Sequence, residues 1–323
     1  TTHRPRDQQE PPVTSTSLPP AASPPTAAIE TFDLTKTYGG SRGIRNVTMR
    51  VERGEIFGFL GPNGAGKSTT LRTILGFLRP TSGRAEVLGM DSQHETVAIH
   101  RQLGNLPSEF SLEDRMTGEE MLGFFADLRG AQAHLPYARQ LAERLDADLT
   151  RPMRRLSRGN KQKMGIIQAL FHHPDVIVLD EPTSGLDPLV QEEFLTILDE
   201  TRAAGGTIFF SSHILSEVER LADRVGIIRD GELAAIEKPS TLTGRAFRYV
   251  RIQFAQPLDA ASIQQFANAP GVQKFAVEDD GRRLTFQAHG GMDAIVKLAS
   301  AHPVERFDAE RPPLEELFLT YYA

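Results

Sequence analysis

The stretch "GFLGPNGAGKSTTLRTILG", beginning at Gly58, constrains the fold more than any other part of the chain. A short apolar segment, Glu55 to Leu60, runs into a loop holding Gly61, Gly64 and Gly66. The loop ends in Lys67 and Ser68, and from Ser68 to Leu78 apolar residues recur at helical spacing. Strand, glycine loop and helix in this order form the phosphate-loop pattern. The glycines let backbone N–H groups approach a phosphate, and the helix N-terminus adds partial positive charge. Lys67 then reaches the β and γ phosphates, and the Ser68 hydroxyl ligates magnesium. An ordinary glycine turn before a helix needs neither the lysine nor the serine.

A second strand of the same kind, "PDVIVLDEPTSGLDP", places Asp180 and Glu181 directly after four apolar residues. Parallel α/β sheets bind ligands at the carboxyl ends of their strands, so both acids belong at such an end. Asp180 can hold a magnesium ion, and Glu181 can orient or deprotonate a water for in-line attack on a γ-phosphate. In "LSRGNKQK", Ser157 and Gly159 precede a further helical run, which makes a second anion-accepting helix N-terminus.

The rest of the chain sets these segments in an α/β frame. "IETFDLTKTYGG" and "IRNVTMRVERGEIFGFLGP" alternate apolar and polar residues as half-buried strands do. Met116 to about His173 reads as a helical insertion, and "QEEFLTILDETRAAG" followed by "GTIFFSSH" as helix then buried strand. Such alternation favours a parallel sheet. After a Pro, Ser, Thr and Gly connection near Lys238 to Gly244, the order is strand, helix, strand, strand, helix, strand, which is ferredoxin-like, and a last helix "PLEELFLTYY" follows. Residues 1–28 are rich in Pro, Ser, Thr and Ala with no apolar signal-peptide core, and are expected to be a disordered tail.

Together these motifs resemble the ATPase subunit of an ATP-binding cassette (ABC) transporter. "GPNGAGKST" is similar to the Walker A motif, "VIVLDEP" to Walker B with its glutamate, "LSRGN" to the family signature, "SGLD" at Ser184 to Asp187 to the D-loop, and His213 in "SSH" to the switch histidine. The resemblance covers about Ile29 to Lys238. It implies a P-loop NTPase (RecA-like) α/β core with an antiparallel β subdomain and a helical subdomain at 29–240, and a small C-terminal α+β accessory domain at 245–323.

It also implies roles residue by residue. Tyr38 stacks on adenine; Gly61, Pro62, Asn63, Gly64, Ala65, Gly66, Lys67, Ser68 and Thr69 cradle the phosphates; Ser68 and Asp180 hold Mg2+. Glu181 is the general base, His213 senses the γ-phosphate, and Lys67 assists catalysis. Ser157 and Gly159 act on the nucleotide of a second copy of the subunit, and Asp187 of the D-loop belongs to the nucleotide-binding residues. Ser108 stands where the family carries a glutamine, and no metal role is assigned to it. Arg158 and Asn160 replace a glycine and a glutamine of the signature.

Energy released by such a core can drive many processes. A chromosome-organising ATPase would carry a long heptad coiled coil between Lys67 and Ser157, and a translation factor a second cassette. A DNA-repair ATPase would bring zinc cysteines and basic patches, yet the chain has no cysteine and a net charge of -6. No nucleic-acid partner is expected. The absence of cysteine suits a reducing compartment. No run of apolar residues is long enough to span a bilayer, so the chain is not expected to cross a membrane by itself; the resemblance implies a separate transmembrane permease as partner, with this subunit at the cytoplasmic side of the membrane. The small α/β tail resembles that of bacterial exporters of the daunorubicin, bacitracin and tetronasin resistance type; an importer subunit, or a soluble regulatory or nucleic-acid factor, is the alternative.

Overall fold

The computed structural model describes residues 27–39, 42–108, 115–241 and 247–310. The helix expected over "PLEELFLTYY" and nearly all of the N-terminal tail lie outside them. At the centre is a six-stranded sheet in the order β10-β9-β3-β8-β7-β6, from β3 (Ile56–Leu60), β6 (Leu103–Leu106), β7 (Val176–Asp180), β8 (Thr207–Ser212), β9 (Arg224–Arg229) and β10 (Glu232–Glu237). All neighbours run parallel except β10, which pairs antiparallel with β9 at the edge.

Period-two side-chain alternation divides each central strand between two cores. Phe57 and Phe59 of β3, Val176 and Val178 of β7, and Phe209 of β8 face one side, with Leu71 and Ile74 of α1 (Lys67–Ile74). That side is closed by an antiparallel sheet, β2-β1-β4-β5, built from β1 (Ala27–Thr37), β2 (Gly43–Glu52), β4 (Ser82–Val87) and β5 (Met90–Asp91). Ile56, Leu60, Ile177, Leu179, Ile208 and Phe210 face the other side, against α5 (Arg158–Leu170), α6 (Pro188–Ala203) and α7 (Leu215–Leu221). Gly58 permits close approach here, since a Cβ on it would lie 2.8 Å from Val218 of α7.

The helical insertion comprises α3 (Gly118–Arg129), α4 (Leu135–Arg144) and α5, with the short α2 (Thr96–Arg101) before β6. A capping box between Thr117 and Glu120 starts α3, and Gly130 in the left-handed conformation ends it. Beyond residue 246, β11 (Phe247–Phe254), α8 (Ala260–Ala267), β12 (Val272–Glu278), β13 (Arg283–His289), α9 (Asp293–Ser300) and β14 (Val304–Glu310) follow the ferredoxin-like order. Their antiparallel sheet, β12-β13-β11-β14, packs Val250, Ile252 and Phe286 against Phe266 and Ile295 of the two helices.

One expected boundary is corrected. β1 begins at Ala27, inside the segment assigned to the tail. Ala27 pairs with Glu52, Ala28 is fully buried, and its carbonyl accepts the Leu88 N–H at 2.8 Å. Deleting residues 1–24 is therefore expected to leave the thermal midpoint unchanged. Extending the deletion through Ala28 removes two buried methyl groups and a backbone bond, and should cost about 2 kcal/mol, or ~5 °C by calorimetry.

Behind β6, burial pushes His172 down to about 4, and the neighbouring Arg129 charge acts in the same direction. The unfolded chain takes up this proton near pH 6.5, whereas the folded chain resists it. Stability is thus lost as pH falls from 6.5 toward 4, by up to about 3 kcal/mol. Urea titrations across that window should show a shallower acid limb for His172→Phe than for the parent.

Candidate functional site

The carboxyl ends of β3, β7 and β8 meet at one edge of the central sheet, and the glycine loop rises from β3 into a cavity of about 950 Å³. Tyr38, Asn63, Gly64, Gly66, Lys67, Ser68, Thr69, Ser108 and Glu181 contribute to its wall. The loop's shape follows from its sequence. Gly64 (φ 82°) and Gly66 (φ 110°) are left-handed, and a Cβ on Gly61 would lie 2.4 Å from the Ile228 carbonyl. The Gly61 N–H donates to the Ser212 carbonyl at 3.3 Å, and the Ala65 carbonyl accepts the Gly231 N–H at 3.0 Å, so the loop is pinned from both flanks. Pro62 and Ala65 form the back of this turn: the Pro62 carbonyl accepts the Ala65 N–H at 3.1 Å, and the Ala65 side chain is buried.

Lys67 is buried, and its ammonium group donates to the Gly61 carbonyl at 2.7 Å and the Pro62 carbonyl at 3.2 Å. Its counter-charge is Glu181, with Oε1 at 3.1 Å. The second Glu181 oxygen lies 2.6 Å from His213 Nδ1. One carboxylate therefore joins the loop lysine to the histidine beyond β8. Glu181 itself has φ 52°, a left-handed backbone, and its N–H donates to Ser211 Oγ at 3.0 Å. The Ser211 hydroxyl in turn donates to Asp180 Oδ1 at 2.6 Å, which fixes the buried Asp180 carboxylate.

A further carboxylate stands behind His213. Glu217 accepts from Thr183 Oγ1 and from Ser212 Oγ, each at 2.6 Å, and Ser212 Oγ accepts the Ile214 N–H at 2.9 Å. The turn carrying His213 is thereby tied to the loop after β7. These charge-assisted bonds are of the strong kind.

The structure brings the phosphate loop, Asp180, Glu181 and His213 together and places Tyr38, half exposed, at the far wall, with Lys36 Nζ 5.4 Å from its ring centre. It does not bring Ser157, Gly159 or Asp187 to this cavity. Ser157 caps α5 by accepting the Asn160 N–H at 3.2 Å, and Asp187 caps α6 by accepting the Val190 N–H at 3.1 Å. Gly159 lies against its own chain's D-loop, where a Cβ would stand 2.6 Å from the Gly185 carbonyl.

Sequence reasoning missed Ser211, Gln162 and Glu217, and the wall residues Arg42, Arg45 and Asp230. Ser211 carried one available signal: "TIFFSSH" ends an apolar strand in a polar pair, at the same sheet edge as Asp180.

Residues 44–184 match the family model described as ABC transporter. The chain is 32% identical to the bacitracin transport ATP-binding protein BcrA of Bacillus licheniformis, over 90% of this chain and 96% of that one. It is 30% identical to the linearmycin resistance ATP-binding protein LnrL of Bacillus subtilis, over 90% and 97%. Among solved structures, an ATP-binding subunit of an ABC transporter superposes with a TM-score of 0.61 at 32% identity, covering 67% of this chain and 91% of that chain. The dimeric ATP-binding cassette MJ0796, bound to ADP and phosphate, shares the fold at TM-score 0.60 and 23% identity, covering 65% and 98%. Among the described residues no helix is long and apolar enough to cross a membrane. With its phosphate loop, its Asp180–Glu181 pair and its resemblance to these relatives over nearly the whole chain, this protein belongs to the ATP-binding, ATP-hydrolysing subunits of ABC transporters.

Proposed function

We propose that the cavity binds ATP with magnesium, and that Glu181 is the base that activates water for attack on the γ-phosphate. The observation that carries this reading is the Glu181 carboxylate held between Lys67 at 3.1 Å and His213 at 2.6 Å. A γ-phosphate at Lys67 offers the ammonium a new counter-charge, which frees the Glu181 oxygen to accept a proton from water. His213 can then donate toward the same phosphate. Tyr38 supplies a face for adenine. The Ser68 hydroxyl and the Asp180 carboxylate are hard oxygen donors that suit magnesium, whose charge would offset that of the phosphates.

Ser157, Gly159 and Asp187 serve the nucleotide of a second copy. Each caps or packs at a helix start away from its own cavity, and the fold relative with ADP and phosphate is a dimer. Two cavities closed by two signature turns give ATP the role of an anionic bridge.

The dimer works on a separate permease at the cytoplasmic side of the membrane, and the substrate class is an antibiotic or similar drug leaving the cell. The names of the bacitracin and linearmycin relatives, which match over 90% of this chain, support export. A docking surface for the permease is supported by exposed apolar side chains: Phe77 after α1, Val97 on α2, and Phe124 and Leu128 on α3. Arg129 joins α3 to α2 by donating to the His100 carbonyl at 3.0 Å. The net charge of -6 supports a partner other than nucleic acid.

Glu181→Gln keeps the shape of the side chain and loses its basicity. Steady-state turnover is expected to fall by about 100-fold or more while ATP affinity stays within ~3-fold. Turnover within a few-fold of the parent would remove Glu181 from the role of base.

The two-copy reading is open to a cysteine test, because the chain has no background thiols. Asn63 is exposed on the phosphate loop and Arg158 on the signature turn. In the slow Glu181→Gln chain, Asn63→Cys with Arg158→Cys should give covalent dimers under mild oxidation only when ATP is present. Dimers that form equally without nucleotide would overturn it.

A further inference from the structure

Gln162 lies on α5 beyond the signature turn, and only 5% of it is exposed. A buried amide must find partners. Its Nε2 donates to the Pro182 carbonyl at 2.9 Å and to the Glu181 carbonyl at 3.3 Å. Those carbonyls follow a residue whose left-handed backbone, at φ 52°, is strained for a side chain other than glycine. On the other side of the same residue, Ser211 Oγ takes the Glu181 N–H at 3.0 Å. The base is thus gripped at both of its peptide groups, once from β8 and once from α5.

The first turns of α5 touch the loop after β7 at two further points. Arg158 Nη2 donates to Ser184 Oγ at 3.3 Å, and Gly159 is in contact with the Gly185 carbonyl. The signature turn and the loop that begins with Glu181 therefore form one connected body within a chain. A 3.3 Å bond is near the limit for N–H to O, so a displacement of α5 by about half an ångström is enough to make or break it.

We infer that Gln162 is a positioning residue for hydrolysis: it sets the backbone of Glu181, and it makes that geometry follow the signature turn of the same chain. Since the signature turn closes on the partner copy's nucleotide, one nucleotide controls the base that acts on the other. This second half rests on the two-copy reading above; the positioning of Glu181 does not.

The test uses the full chain with Gln162→Met, which keeps length and volume but has no donor, and Gln162→Glu, which turns the donor into an acceptor facing two carbonyls. The expected result for both is a kcat lowered by about 10-fold or more with KM for ATP within ~2-fold. The Hill coefficient for ATP should fall from above ~1.5 to about 1, and the Asn63–Arg158 cross-link should still form with ATP. Ser211→Ala loosens Glu181 from the β8 side, and should lower kcat while the Hill coefficient is kept. Variants that retain the parent's kcat and cooperativity would overturn the inference. So would a loss of kcat matched by an equal loss of ATP affinity. Failure of the Asn63→Cys, Arg158→Cys pair to cross-link with ATP in the Glu181→Gln chain that keeps Gln162 would instead strike the two-copy reading and the coupling built on it, leaving kcat to judge the positioning of Glu181.

Discussion

A buried ammonium group needs compensation, and much of the site can be understood as the answer to that need. Lys67 is placed by the glycine loop in a position almost closed to solvent, where an isolated charge would be costly. Two loop carbonyls and the Glu181 carboxylate meet it. Because Glu181 is also held by His213, and its backbone by Ser211 and Gln162, the cation's partner is fixed in direction as well as distance. In the proposed mechanism the same carboxylate is structural toward Lys67 and basic toward the attacking water. Sharing one acid between the two roles would let nucleotide entry be sensed without moving the main chain of β7.

The sheet makes this possible through strand direction. β3, β7 and β8 are adjacent and parallel, so their carboxyl ends deliver the glycine loop, the two acids and the Ser211–Ser212–His213 turn to one edge. Each strand is buried on both faces, which leaves its polar residues only the end at which to gather. Helices α5 and α7 on one face supply Gln162 and Glu217, which reach the loop after β7 from behind.

Much of this was legible because it is local. Glycine spacing, a lysine and serine at a helix start, and paired acids after an apolar run each state their chemistry within a few residues, and alternation marked β1 and β2, whereas β4, β5, β6, β9 and β10 went unread. The sequence order of the C-terminal strands and helices was readable for the same reason. What escaped was set by distance along the chain. Ser211 meets Asp180 across 31 positions and Gln162 meets Glu181 across 19. Inside "NKQKMGIIQALFHH" a glutamine has no local mark that its amide is aimed at a carbonyl. The start of β1 was misplaced because Ala27 and Ala28 follow a Pro-rich segment whose composition masks the first residues of a strand.

The hairpin tip between β9 and β10 has a consequence for how the protein is made. Gly231 receives the Arg45 N–H on its carbonyl at 2.7 Å and gives its own N–H to the Ala65 carbonyl at 3.0 Å, so it rivets the antiparallel sheet to the back of the glycine loop. A Cβ there would lie 2.4 Å from the Gly43 carbonyl, so only glycine fits the joint. The loop is encoded early in the chain, yet one of its supports arrives well over a hundred residues later. During synthesis the emerging phosphate loop must wait for β9 and β10 before it is braced, which makes a complete nucleotide site a late event in folding and gives ATP little to grip until the whole cassette has left the ribosome.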